Sequence, residues 1–146
     1  MNCTAKLLAI AAALASFGTA AQGAPAVSLD SAVFVERAAP AGRMLQPASD
    51  LSRGDRVVYV VNWYKLGGDG GFVVTNPLPR TVYYQGSANG DEEVSIDGGR
   101  TWGKLGAMRV GGRLATPEDV THVRWRVDPR AASRGQGRIA YSAIVR

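Results

Sequence analysis

The sequence predicts an all-β fold of seven or eight antiparallel strands arranged in two sheets, placed behind a cleaved signal peptide. From residue 24 onward no segment repeats apolar residues at the 3.6-residue period of a helix, whereas short alternating runs recur between Gly, Pro, Asn and Asp. The octet Ser95-Ile96-Asp97-Gly98-Gly99-Arg100-Thr101-Trp102 fits S-x-D-x-G-x-T-W, a compact recipe for a braced hairpin. The first 23 residues, MNCTAKLLAIAAALASFGTAAQG, set Lys6 ahead of an apolar run and small residues at Ala21 and Gly23, the layout of a secretory signal removed before Ala24. That run is too short to span a bilayer and no second follows, so the reading is a protein exported to the periplasm or the cell exterior and not integral to a membrane.

The first strand is expected at 26–37, with Val27, Leu29, Val33 and Val35, followed by a loop rich in Ala and Pro over 38–51. Gly54-Asp55 turns the chain into 56–64, where Val57, Tyr59, Val61 and Trp63 share one face and Val58 and Val60 the other. Apolar residues on both faces mark a central strand. After the glycine-rich break at 67–71, an extended segment over 72–75 ends at Asn76-Pro77-Leu78-Pro79, whose prolines cannot donate to a ladder and so indicate a strand exit or sheet edge. Further strands are expected at 81–85, at 93–96 leading into the octet, and along its second arm from Thr101 toward Leu105, with 108–110 extending the meander. Thr116-Pro117-Glu118-Asp119 reads as one helical turn or a capped loop. Residues 120–127 alternate cleanly, Val123, Trp125 and Val127 against His122, Arg124 and Arg126; 128–136 is a polar loop, and 138–146 closes the fold with Ile139, Tyr141, Ala143 and Val145 on one face.

In the octet, Gly98-Gly99 permits a tight reversal because both residues take positive φ at little cost. Asp97 precedes the turn, where its carboxylate accepts from the turn's backbone donors, while Ser95 and Thr101 flank it. The Trp102 ring is expected to fold beneath the hairpin and anchor it to the core. This pattern is the Asp-box, and the structural residues it nominates are Ser95, Asp97, Gly99, Thr101 and Trp102. It occurs in proteins of unrelated activity, so it specifies a turn and not a reaction.

Residues 24–146 suffice for one domain with a single core. Cys3 lies within the signal, which leaves the exported chain without a thiol and excludes disulfides and cysteine-held metals. Charge divides unevenly: 24–99 holds 6 basic and 9 acidic residues, 100–146 holds 10 basic and 3 acidic. Arg124, Arg126 and Arg138 are the candidate anion-binding side chains of that basic half. A nucleic-acid interface is not expected, since Trp125 alternates away from its arginine neighbours and the protein is exported.

The inventory for catalysis is thin. His122 is the sole histidine, there is no G-x-S-x-G elbow, and a single Asp-box on a chain of this size brings no sialidase propeller. Asp91, Glu92, Glu93 and Asp97 lie too close along one strand for more than two to converge as a glycosidase pair. With Asp69 they offer carboxylates to calcium, though without the ligand order of a DxDxDG loop. No catalytic residue, metal or cofactor is assigned.

Seven or eight short strands with these turns suggest an antiparallel two-sheet sandwich of the immunoglobulin type, packed around Trp63, Trp125 and tyrosines in place of a disulfide. The segments Gly54-Asp55 with RVVYVVNWY, VVTNPLPRTVYYQGSA, EVSIDGGRTWGKL, ATPEDVTHVRWRV and GQGRIAYSAIV, in that order, resemble the conserved repeat domain of unknown function found in bacterial envelope and surface proteins. That resemblance implies an Ig-like, noncatalytic module with a structural or protein-interaction role. KLGGDGG departs from the family pattern, and the module stands alone here, against the family's usual array. The alternative is a carbohydrate or anionic-polymer binder using Tyr64, Tyr83 and Tyr84 with the basic C-terminal face.

Overall fold

A computed structural model describes residues 26–146; the expected signal peptide lies outside the described residues. The chain is mostly β and its strand pairs are antiparallel. Among the described residues ten strands form, where the sequence suggests seven or eight: β1 (Ala26–Ala39), β2 (Gly42–Pro47), β3 (Arg56–Gly67), β4 (Phe72–Pro77), β5 (Val82–Ser87), β6 (Glu93–Ser95), β7 (Arg109–Val110), β8 (Arg113–Leu114), β9 (His122–Val127) and β10 (Gln136–Val145). A five-stranded sheet runs in the order β2-β1-β3-β10-β5, a three-stranded sheet in the order β4-β9-β6, and β7 pairs only with β8.

The alternation that predicts the strands also builds the core. Val57, Val61 and Trp63 of β3, and Ile139, Tyr141 and Ala143 of β10, are buried from the larger sheet. They join Val74 of β4, Val94 of β6, and Val123, Trp125 and Val127 of β9 in one cluster. Aromatic contacts link the sheets: Trp125 lies 5.3 Å from Tyr141, and Phe72 stands edge-on to Trp63 at 5.1 Å. Pairs of this geometry stabilise beyond the area they bury. β3 is central, flanked by β1 and β10. Opposite Trp63 the register places Gly137, where a Cβ would stand 2.3 Å from the indole, so only glycine admits the ring.

Four expectations are corrected. The expected loop over 38–51 instead carries β2, because Pro40-Ala41 and Gly42 close a two-residue turn onto β1. All six β2 residues are exposed, so no buried face imposed the alternation that marks a strand. The polar loop over 128–136 contains a helical turn, α1 (Pro129–Ala132), capped where Asp128 Oδ1 accepts from Ala131 N at 2.8 Å with Pro129 at the first position. The expected strand from Thr101 toward Leu105 reduces to one bridge, Val94 to Gly103, before a 3-10 turn at Leu105–Ala107. Residues 108–110 do not continue the meander but fold with β8 into a separate ribbon. Of the two forms expected at 116–119 the helical turn is the one present: Pro117–Asp119 is a 3-10 turn whose Thr116 and Asp119 make a reciprocal capping box.

Candidate functional site

The Asp-box is a closed network of hydrogen bonds around two side chains. Gly98 and Gly99 have φ of +79° and +90°, which bends the chain over the Ser95 and Asp97 side chains. Ser95 is completely buried, and its Oγ donates to Asp97 Oδ1 at 2.8 Å while accepting from Gly99 N at 2.8 Å. Asp97 Oδ1 also accepts from Arg100 N at 3.0 Å and Thr101 N at 2.9 Å, and Oδ2 accepts from Thr101 Oγ1 at 2.7 Å. The Thr101 backbone and hydroxyl bonds, with the Ser95 hydroxyl, hold the Asp97 carboxyl well below the usual carboxylate range.

Thr121, a residue the sequence reading did not single out, docks this turn on β9. Its N–H donates to Ser95 O at 2.8 Å, and its hydroxyl donates to the same carbonyl at 3.1 Å while accepting from Gly98 N at 3.0 Å. Nothing in a lone threonine ahead of a strand announces such a contact, which depends on β6 pairing with β9.

Trp102 does not reach the core. Its Nε1 donates to Gly99 O at 3.0 Å, and the half-buried ring lies on the outward face of the three-stranded sheet, edge-on to His122 at 6.3 Å. Arg124 stacks over it at 4.4 Å from the ring centroid. The hydrogen bond to Gly99 keeps the indole against its own turn, which is why it cannot fold inward.

The three candidate arginines are not brought together. Arg124 and Arg126 share Glu93, with Nε to Oε2 distances of 2.8 and 3.1 Å, and Arg124 also carries the stack on Trp102. The Arg124 bond, aided by Arg126, lowers the Glu93 carboxyl. Arg138 stands on the outward face of the other sheet and donates from Nε to Asn62 Oδ1 at 3.0 Å.

The expected set of exposed tyrosines is also corrected. Tyr84 is buried at 4% exposure, its hydroxyl on the Glu92 carboxylate, and burial followed by that carboxylate pushes its pKa up. Tyr64 pairs with Gln136 and Tyr83 with Ile144, so they sit at opposite ends of β10, roughly 25 Å apart along the strand, and form no common platform.

The acidic cluster is divided among separate partners. Glu92 accepts from Tyr84 and Ser87, Glu93 from Arg124 and Arg126, and Asp97 from its own turn. Among the described residues no group of three or more His, Cys, Asp or Glu side chains is placed to hold a metal ion, and no helix is long and apolar enough to cross a membrane.

The least satisfied surface lies at the other end of the larger sheet. In the β1 register, Leu29, Val33 and Val35 share the face of Trp63, Tyr59 and Val57, and β2 sets Met44 opposite Arg37 on that same face. Val35 is buried, but Leu29, Val33 and Met44 are 50%, 37% and 48% exposed. The three-stranded sheet leaves this wing uncovered. The bond from Ala48 N to Val33 O sets the phase of the β1–β2 ladder, so the N–H groups of Met44 and Gln46 point to β1 while those of Arg43 and Leu45 point to the open edge. Pro47 falls in the outward phase, where a missing N–H costs nothing. No protein-family model, curated protein or solved structure matches this chain.

Proposed function

We propose that the protein is an exported, noncatalytic β-sandwich of Ig-like type in the bacterial cell envelope, acting as a protein-interaction module. Its occupant is an extended segment of another envelope protein that pairs with β2 and lays alternate apolar residues against Leu29, Val33 and Met44. The observation that carries this reading is the uncovered wing: an apolar sheet face that ends at a strand with free backbone donors and acceptors. Strand addition uses both, the ladder for affinity and alternate side chains for specificity. The same assignment is what a resemblance to the conserved repeat domain of envelope proteins would imply. Polymer binding is less well supported, because Arg124 and Arg126 are occupied by Glu93 and the tyrosines are dispersed.

The test is capture from the native envelope with wild type and Leu45→Pro. The proline removes an outward N–H without touching the β1 ladder. A single envelope protein retained by wild type and by Arg138→Ala, and lost from Leu45→Pro at unchanged melting temperature, is the expected result. Equal capture by Leu45→Pro sinks the edge-pairing mechanism, and retention on a glycan array in its place sinks the interaction reading. Hydrolysis of an ester or glycoside panel that disappears in His122→Ala overturns the noncatalytic assignment.

A further inference from the structure

The end of the molecule beside the Asp-box holds a cavity of about 430 Å³ that none of the foregoing uses. Its lining comes from several separate segments: the exit of β4, the start of β5, the tip of the Asp-box, the 3-10 turn at Pro117–Asp119, the start of β9, and Arg146. The walls are apolar, supplied by Pro77, Leu78, Pro79, Val82 and Val120. They offer few donors: proline has no N–H, and that of Leu78 is spent on Thr121 O at 2.8 Å.

The polar lining is cationic. Arg146 is fixed by bonds from Nε to Val82 O at 3.1 Å and from Nη2 to Glu118 O at 2.9 Å. Both acceptors are carbonyls, and the guanidinium lies over the Tyr83 ring at 5.9 Å from its centroid. Among the described residues neither Arg80 nor Arg146 pairs with a side-chain carboxylate, and Arg80 is exposed at the cavity. His122 contributes a ring whose Nδ1 contacts Thr121 Oγ1 at 3.1 Å, and Glu118 is the facing acid.

We propose that this cavity binds a small molecule with one carboxylate and an apolar body, the carboxylate on the Arg80 guanidinium beside the fixed charge of Arg146, and the body against Pro77, Pro79 and Val120. The planar fork of arginine matches a carboxylate in two parallel bonds. A pocket of this size suits a ligand of small-molecule dimensions. The apolar walls and the facing Glu118 disfavour a polyanion, whose further charges would lie against them. The site is independent of β2, so its failure and that of the interaction module are separable.

The experiment is an amide NMR titration of the full exported chain with N-acetylleucine, using N-acetylleucinamide as the uncharged control. Expected are saturable shifts at Gly98, Val120 and His122, about tenfold weaker binding of the amide, and about a tenfold loss in Arg80→Gln that Arg138→Gln does not reproduce. Equal binding of acid and amide overturns the proposal. So does an Arg80→Gln protein, folded by its unchanged spectrum elsewhere, that binds as wild type, or the absence of saturable shifts at those residues.

Discussion

The Asp-box turn and the β1–β2 turn both reverse the chain in a few residues, but side chains hold the first and the backbone ladder is the main tie of the second. At the Asp-box, the N–H groups of Gly99, Arg100 and Thr101 end on Ser95 or Asp97, and Thr121 ties the turn to β9. At the wing, β2 bonds only to β1, aided on the outward face by Glu36, which pairs with Arg43 at 2.5 Å and Arg56 at 2.9 Å. The first turn has spent its polar groups inward and has little left to offer a partner. The second keeps Arg43 and Leu45 donors and apolar side chains in reserve. Satisfied bonding marks a brace, and unsatisfied bonding at an ordered edge marks an interface.

The largest expected break in that contrast is Ser95→Ala. Ser95 is fully buried and its Oγ accepts from the N–H groups of Gly99 and Asp97, so its removal strands those two backbone donors, while Asp97 Oδ1 keeps its bonds from Arg100 N and Thr101 N. The expected cost is about 1–3 kcal/mol in urea unfolding, the range for a buried group left unpaired. A loss indistinguishable from that of a surface substitution would mean that the ladder, and not the side chains, holds this turn.

How far the sequence foretold these two regions follows from where their signals reside. The bonds among Ser95, Asp97 and Thr101 were legible because they run within seven consecutive residues. The strands of the core were legible because burial on one face enforces a period of two, as Val123, Trp125 and Val127 show. β2 was not, since exposed side chains carry no such constraint. Trp102 misled for a different reason: a large aromatic ordinarily buries itself, but here the Gly99 carbonyl and Arg124 hold it on the outer face. The pairing of Glu93 with two arginines was equally hidden, because it needs the register of β6 on β9. Long-range partners of that kind are set by topology and leave no local trace.

Acid provides an intermediate test. The folded pKa of Asp97 lies below its unfolded value, so its contribution to stability is present above the ordinary aspartate range and is lost as the pH falls through it toward the folded value. Asp119, held down chiefly by the Arg113 guanidinium, behaves in the same sense. The melting temperature of wild type is therefore expected to fall by several degrees as the pH drops below about 4. Asp97→Asn, lower at neutral pH, should approach it there. Parallel curves for the two proteins would show that Asp97 is not the titrating brace.

The smallest effects belong to the wing. Met44 is half exposed on an edge strand, its side chain lies on the core-side face where no second sheet covers it, and its backbone N–H is the part that binds β1. Met44→Thr keeps a residue suited to strands and should change unfolding stability by no more than about 0.5 kcal/mol. Native-state hydrogen exchange separates the backbone roles within the same strand. Arg43 and Leu45, with N–H groups on the open edge, should exchange faster than Met44 and Gln46, and faster than Gly99 on the buried Ser95 hydroxyl. If Leu45 is as protected as Met44 in the isolated protein, the edge is already paired, and the surface proposed to receive a partner is not free to do so. If Met44→Thr leaves the fold intact while weakening capture of the envelope partner, stability and function are carried by opposite ends of the molecule.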